Sequence, residues 1–308
     1  DYHGTTITAL SAGGQGERSA HYGPFTPGFV AVPHCLEYRN QYDSAEAYGE
    51  RAADAIEEVI LREGPDTIGA ICLETMTAGG GVIVPPEGYW ERVQEICKRH
   101  QILIHLDEVV CGVGRLGTWF GYQQFGIKPD FVTMAKGVAS GYAAISCTVT
   151  TEEVFDMFKD SSGDPLSYFR DISTYAGCAA GPAAALENMR IIEDEGLLEN
   201  TLSMGARLME NLEDLKEKHA VVGDVRGRGL FAGVELVSDR ETKEPADEAK
   251  VQAVAGHCMA QGVIIGMTNR ALPGFNNTLC LAPALIATAD DIDHLTSSID
   301  EALTAVFS

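Results

Sequence analysis

Short apolar runs alternate with helix-spaced segments between residues 44 and 150, and no other feature constrains the fold as tightly. SAEAYGERAADAIEEVILRE (44–63) gathers its apolar residues on one helical face and stops at Gly64-Pro65. TIGAICLE (67–74) then reads as a buried strand. A glycine-rich loop, a helical pattern EGYWERVQEICKRH (87–100) and a strand ILIHLDEVV (102–110) follow, with further strands predicted near 131–135 and 143–149. Strands separated by helices cannot pair as simple hairpins. They form an α/β fold: a mostly parallel sheet flanked by helices on both faces.

The pattern changes from about residue 180. A long helical stretch, 182–219, is interrupted at Gly196. Next come VVGDVRGRGLFAGVELV, a helix near 246–261, VIIGM, TLCLAPA and a last helix near 288–306. This predicts a large domain over residues 1–195 and a smaller C-terminal α+β domain over 196–308. Residues 1–42, rich in glycine, proline and aromatics, read as loops with short strands.

A net charge of −23 repels phosphate backbones and argues against a nucleic-acid partner. There is no basic cluster to suit a membrane surface, and no apolar run has the length of a membrane span. The eight cysteines form no CxxC pair or other close metal-ligand spacing, so no metal is expected. Those in or beside apolar runs, Cys72, Cys111, Cys147 and Cys280, read as buried free thiols of a cytoplasmic protein. The chain shows no signal peptide and opens at Asp1 in mid-pattern, as a fragment would.

Two charged residues stand where strands are predicted to end. Asp107 closes the run ILIHL, and Lys136 closes FVTMA, among small residues in TMAKGVASGY (133–142). Residues at the carboxyl ends of neighbouring parallel strands face the ligand crevice of an open sheet. A buried Asp and Lys there read in two ways. One is a satisfied ion pair. The other is pyridoxal phosphate chemistry, in which a lysine forms a Schiff base with the cofactor aldehyde and an acid keeps the pyridine nitrogen protonated.

The stretch HLDEVVCGVGRLGTWFGYQQFGIKPDFVTMAKGVASGYAA resembles the signature of class III pyridoxal-phosphate aminotransferases of fold type I: D-E-V, G-x-G-R-x-G, P-D, A-K-G and G-Y in order. The likeness runs from YHG (2–4) to LAPALIAT (281–288). It implies pyridoxal 5'-phosphate as cofactor and the following roles. Lys136 is the Schiff-base lysine and Asp107 the partner of the pyridine nitrogen. Val109 packs on one ring face and Tyr2 stacks on the other, with His3 in the same motif. Glu74 is the active-site glutamate at the preceding strand end. Thr174, in DISTYAGC, reaches the cofactor phosphate of a neighbouring subunit, so a homodimer or dimer of dimers with shared sites is implied. Taken singly, Tyr2 reads equally as a core aromatic, Glu74 as an ion-pair partner of an arginine such as Arg115, and Thr174 as an ordinary strand residue.

The chain departs from the family pattern in places. The Gly-Ser/Thr-x-Ala loop that cradles the cofactor phosphate belongs upstream of YHG, and this chain does not contain it. Glu74 is followed by Thr75 where the family usually has proline. Relatives that bind α-carboxylates place an arginine where this chain has Cys280; Arg270, in TNRALPGFNN, is the candidate receptor for an anionic group, or a solvated loop arginine.

Within the family, DISTYAGCAAGPAAALENMRIIEDEGLLEN and VIIGMTNRALPGFNNTLCLAPALIAT resemble members that pass the amine of taurine to pyruvate. The resemblance therefore implies a small-molecule amino donor and a keto-acid acceptor, with sulfoacetaldehyde and alanine as products. β-Alanine or another ω-amino acid is the alternative donor. An aminomutase or decarboxylase of the same fold and a non-catalytic remnant are further readings. GVGRLG (112–117) also matches the dinucleotide-binding G-x-G-x-x-G, but TWFGYQQFGIKP after it does not open a helix, so a turn shaping the crevice is the better reading.

Overall fold

A computed structural model describes residues 2–40, 47–159, 163–272 and 275–307. Helix α1 spans Ile7–Ala12, α2 Gly16–Ser19, α3 Tyr48–Glu63 and α4 Tyr89–His100. Strands β1 (Ala70–Glu74), β2 (Leu103–Asp107), β3 (Phe131–Met134) and β4 (Cys147–Thr150) form one sheet in the order β1-β2-β3-β4. The first three are parallel and β4 runs antiparallel at the edge. The N-terminal segment differs from expectation: short helices and a 3-10 turn at Glu37–Arg39 replace the predicted short strands, and no strand falls there among the described residues. Positions 44–46 of the first predicted helix lie outside the described residues.

The register of the sheet sorts its faces. Ile71 pairs with Ile104, and Leu106 with Val132, so these apolar side chains share one face. Ile71, Ile104 and Leu106 are buried with Ile56 and Ile60 of α3 and Val93 and Ile96 of α4. Each such side chain contributes about 1.5–3 kcal/mol on full burial. The other face carries Cys72, Glu74, His105, Asp107 and Thr133, in register across the three parallel strands. Sequence periodicity reads ILIHL as one apolar run, but its alternate residues build a titratable face.

Chain ends of these elements have local causes. The Gly64 N–H caps α3 by donating to Ile60 O at 3.0 Å, with φ of 93°. Gln101, with φ of 56°, closes α4. Strand β2 ends at Asp107 rather than Val110, because the Asp107 side chain accepts the Val109 N–H at 2.9 Å and turns the backbone.

Helices α5 (Glu152–Asp156) and α6 (Ala180–Asp194) follow, then α7 (Leu197–Lys218). Ala185 and Ile192 of α6 pack with Val132 and Met134 of β3. Strands β5 (Val222–Arg228), β6 (Phe231–Leu236), β7 (Gly266–Thr268) and β8 (Thr278–Leu281) form a second, antiparallel sheet in the order β5-β6-β8-β7. It shares a core with α7, α8 (Glu248–Ala260) and α9 (Ala289–Phe307) through Leu208, Leu212, Val254, Ile299 and Leu303.

The two sheets are joined where backbones meet closely. The turn holding GVGRLG packs on α7: a Cβ on Gly117 would sit 2.4 Å from Leu202 Cδ2. Next to it, a Cβ on Gly229, in the turn between β5 and β6, would sit 2.7 Å from the Leu116 backbone. Arg115 locks the junction, donating to Leu230 O at 3.0 Å and to Pro283 O. This overturns an Arg115–Glu74 ion pair, since the guanidinium is spent on carbonyls of the second sheet.

Candidate active site

Glu74, Asp107 and Thr133 lie in register at the carboxyl ends of β1, β2 and β3, and Lys136 follows just past Met134, the last residue of β3. The parallel sheet therefore collects two carboxylates and an amine at one edge.

Asp107 is buried. Its Oδ2 lies 2.8 Å from His3 Nδ1, where a ring N–H donates to the carboxylate, and its Oδ1 accepts the Val109 N–H. Burial alone raises a carboxyl pKa, but the His3 and Val109 hydrogen bonds outweigh it and hold Asp107 below its ordinary value. The group is an ionised carboxylate in a desolvated place. Glu74 contrasts with it: burial lifts its pKa, though it accepts the Ala78 N–H at 3.0 Å. The surroundings thus push the pKa values of two carboxyls on adjacent strands in opposite directions.

Lys136 is exposed and sits at φ of 40°, a backbone conformation that costs a non-glycine residue about 1–3 kcal/mol and gathers at functional sites. The turn after it is braced by α6, where Asn188 Nδ2 donates to Gly137 O at 2.8 Å and Val138 O at 3.2 Å. Among the described residues the Lys136 amine has no hydrogen bond or ion pair. The buried Asp–Lys ion pair weighed from sequence is not formed: Lys136 is exposed and the Asp107 carboxylate is taken by His3.

Tyr2 is half-buried beside His3, and the Arg18 guanidinium covers its ring at 4.9 Å from the centroid. Arg270 is half-buried at a cavity of 240 Å³ lined also by His3, His34, Cys72, Glu74 and Tyr89. Its guanidinium donates to Thr268 Oγ1 at 2.8 Å and pairs with Glu17 of α2. Arg270 is therefore not a solvated loop residue. Thr174 is not brought into this group; it lies on an exposed turn, Thr174–Gly177.

Sequence reasoning passed over Glu108. It is fully buried and accepts from Thr75 Oγ1, Gly121 N at 2.8 Å and Tyr122 N at 2.9 Å. It clamps the turn that follows Asp107 to the loop that follows Glu74. Its signal was present, an acid beside an acid at a strand end, but alternation points the second one away from the crevice. Among the described residues no cluster could hold a metal ion, and no helix is long and apolar enough to cross a membrane. All eight cysteines are free; Cys111 is buried, whereas Cys72, Cys147 and Cys280 are only partly so, and Cys178 is exposed.

The family model described as "Aminotransferase class-III" matches residues 1–303. The hypotaurine/taurine–pyruvate aminotransferase of Paracoccus denitrificans is 73% identical over 308 residues, which is 100% of this chain and 67% of that protein. The taurine–pyruvate aminotransferase of Rhodobacter capsulatus is 71% identical over 303 residues, 98% of this chain and 66% of that protein. A crystal structure of a Bacillus anthracis aminotransferase superposes with a TM-score of 0.90 at 38% identity, covering 99% of this chain and 68% of its own. The chain thus spans about two thirds of the length of the curated relatives it matches.

Proposed function

The chain belongs to the class III aminotransferases, and from that premise we propose that it serves to transfer the amine of taurine to pyruvate, yielding sulfoacetaldehyde and alanine. The observation that carries this reading is the ionised, buried Asp107 held by His3 at the same sheet edge as the unpaired amine of Lys136. The choice of taurine is supported by the relatives at 73% and 71% identity, whose names state that donor.

The residues fit pyridoxal phosphate. A protonated pyridine nitrogen needs a desolvated carboxylate that stays ionised, and Asp107 is one. When bound, the cofactor supplies an aldehyde that takes up amines and a ring that accepts the electron pair left by a broken C–H bond. Lys136 Nζ would anchor it, and Val109 and Tyr2 would flank the ring. Asp107 Oδ2, fixed by His3, would keep a proton on the ring nitrogen. Lys136 Nζ, as a free amine, would take the proton from the carbon that bears the donor nitrogen. Burial raises the pKa of Glu74, which lowers the cost of a second carboxyl beside Asp107. Arg270 receives the sulfonate at the cavity rim.

The active unit is read as a homodimer or dimer of dimers. Ile172 and Tyr175, which flank Thr174 in the sequence, are 98% and 87% exposed, which suits a covering subunit better than water. We set the boundary of the two domains at Gly196, between α6 and α7, and place the protein, with its free thiols, in the cytoplasm.

A visible absorption spectrum with pyridoxal phosphate tests the proposal. A protein-bound band that bleaches with taurine and returns with pyruvate is the expected outcome. Bleaching by β-alanine alone moves the donor, and absence of a bound band refutes cofactor binding by this chain.

A further inference from the structure

Arg270 already holds an anion. Its Nε–H edge is paired with the carboxylate of Glu17, across 253 positions of sequence, while the other arm donates to Thr268 Oγ1. Glu17 belongs to α2, whose next residue, Arg18, lies over the Tyr2 ring. The short helix therefore sits between the two residues read here as cofactor and donor contacts. A carboxylate and a sulfonate offer a guanidinium the same kind of acceptor, a delocalised oxygen anion.

The backbone that carries Arg270 is not free to move away. Arg270 N donates to Gly79 O at 3.1 Å and Ala271 N to Gly80 O at 3.3 Å. Asn269 is fully buried, donating to Asn277 Oδ1 at 2.7 Å and to Glu235 Oε1 at 3.2 Å. Glu235 is in turn pinned by Arg226 at 2.8 Å and Arg39 at 2.6 Å. With the main chain fastened on both sides, an incoming anion reaches Arg270 by exchanging side-chain partners. Glu17 is the partner that can leave: its side chain is 52% exposed and regains water on departure.

Resting on the reading of Arg270 as the sulfonate receptor, we propose that Glu17 is an internal competitor for that site, a removable counter-ion that sets the affinity for anionic donors. It keeps the guanidinium paired between turnovers and weakens anion binding by the strength of one exposed ion pair, about two- to fivefold.

The test is titration calorimetry of the cofactor-loaded protein with ethanesulfonate, which is taurine without its amine and cannot react, on wild type, Glu17→Gln and Arg270→Ala. The expected result is a Kd about two- to fivefold lower in Glu17→Gln and at least about tenfold higher in Arg270→Ala. KM for taurine should follow the same order, while KM for an alkylamine donor that carries no anionic group stays unchanged in Glu17→Gln. Unaltered or weaker binding by Glu17→Gln, with Arg270→Ala impaired, overturns the role of Glu17 and leaves Arg270 standing. Wild-type binding by Arg270→Ala overturns both.

Discussion

His3 Nδ1 stands 2.8 Å from Asp107 Oδ2, joining the start of the chain to the last residue of β2. Neither group does this alone. The sheet buries Asp107 and by itself would favour the protonated acid; the imidazole N–H restores the carboxylate. An ionised acid is thereby kept where water does not compete for it.

Removing that imidazole changes acid stability in a defined direction. Asp107 has a folded pKa below its ordinary 3.8. It binds protons less readily folded than unfolded, so its contribution is present above the ordinary value and is lost as pH falls through the lowered one. In His3→Phe, burial prevails and lifts the folded pKa, so Asp107 then binds protons more readily folded than unfolded and its buried charge becomes a cost that is relieved as pH falls. Melting temperatures measured from pH 3 to 6, at about half-unit steps, should show the variant's deficit widest at pH 6 and narrowing as pH falls; a constant gap or superimposable profiles would exclude the coupling.

Lys136→Ala should leave the fold intact and remove turnover. The side chain is exposed, so stability should change by no more than about 0.5 kcal/mol. Loss of the proton carrier alone should lower kcat by about 10²–10⁴. Stopped-flow transamination assays of the cofactor-soaked variant check this, and substantial residual rate would remove Lys136 from the chemistry.

Glu108→Ala should be a stability variant. It strands the N–H groups of Gly121 and Tyr122 in a buried place. At about 1–3 kcal/mol for each of the two unpaired donors, the loss should be about 2–6 kcal/mol, read as a lower urea midpoint. A midpoint within error of wild type would mean that water replaces the carboxylate.

Gly205→Ala probes the packing of α7 on the turn between β5 and β6. The new methyl would press on Gly229 backbone atoms 2.5–2.7 Å away, and backbone cannot rotate aside as a side chain can. Overpacking of this kind costs about 1–3 kcal/mol. Differential scanning calorimetry should show the loss, and an unshifted transition would mean the helix slides to accommodate it.

The positions of Asp107 and Lys136 were legible because each ends an apolar run, and strand ends of a parallel sheet are where charges can meet a ligand. Their immediate partners were not. His3 and Asp107 are 104 positions apart, and Arg270 and Glu17 are 253 apart. No periodicity spans such distances. Predicted strands also ran past their true ends, as at Val110, because a side chain capturing a backbone N–H leaves no trace in hydropathy.

The sequence by itself determined which residues stand at the sheet edge, the family to which their order belongs, and the alternation that builds the parallel strands, since all three are written in short-range spacing. Only the tertiary structure decided which acid has its pKa lowered and which raised, that the lysine amine is unpaired rather than bridged to Asp107, that Glu108 is a clamp, and that Arg270 already has an anion. Those properties depend on desolvation and on partners delivered by remote segments, and both exist only once the chain has packed.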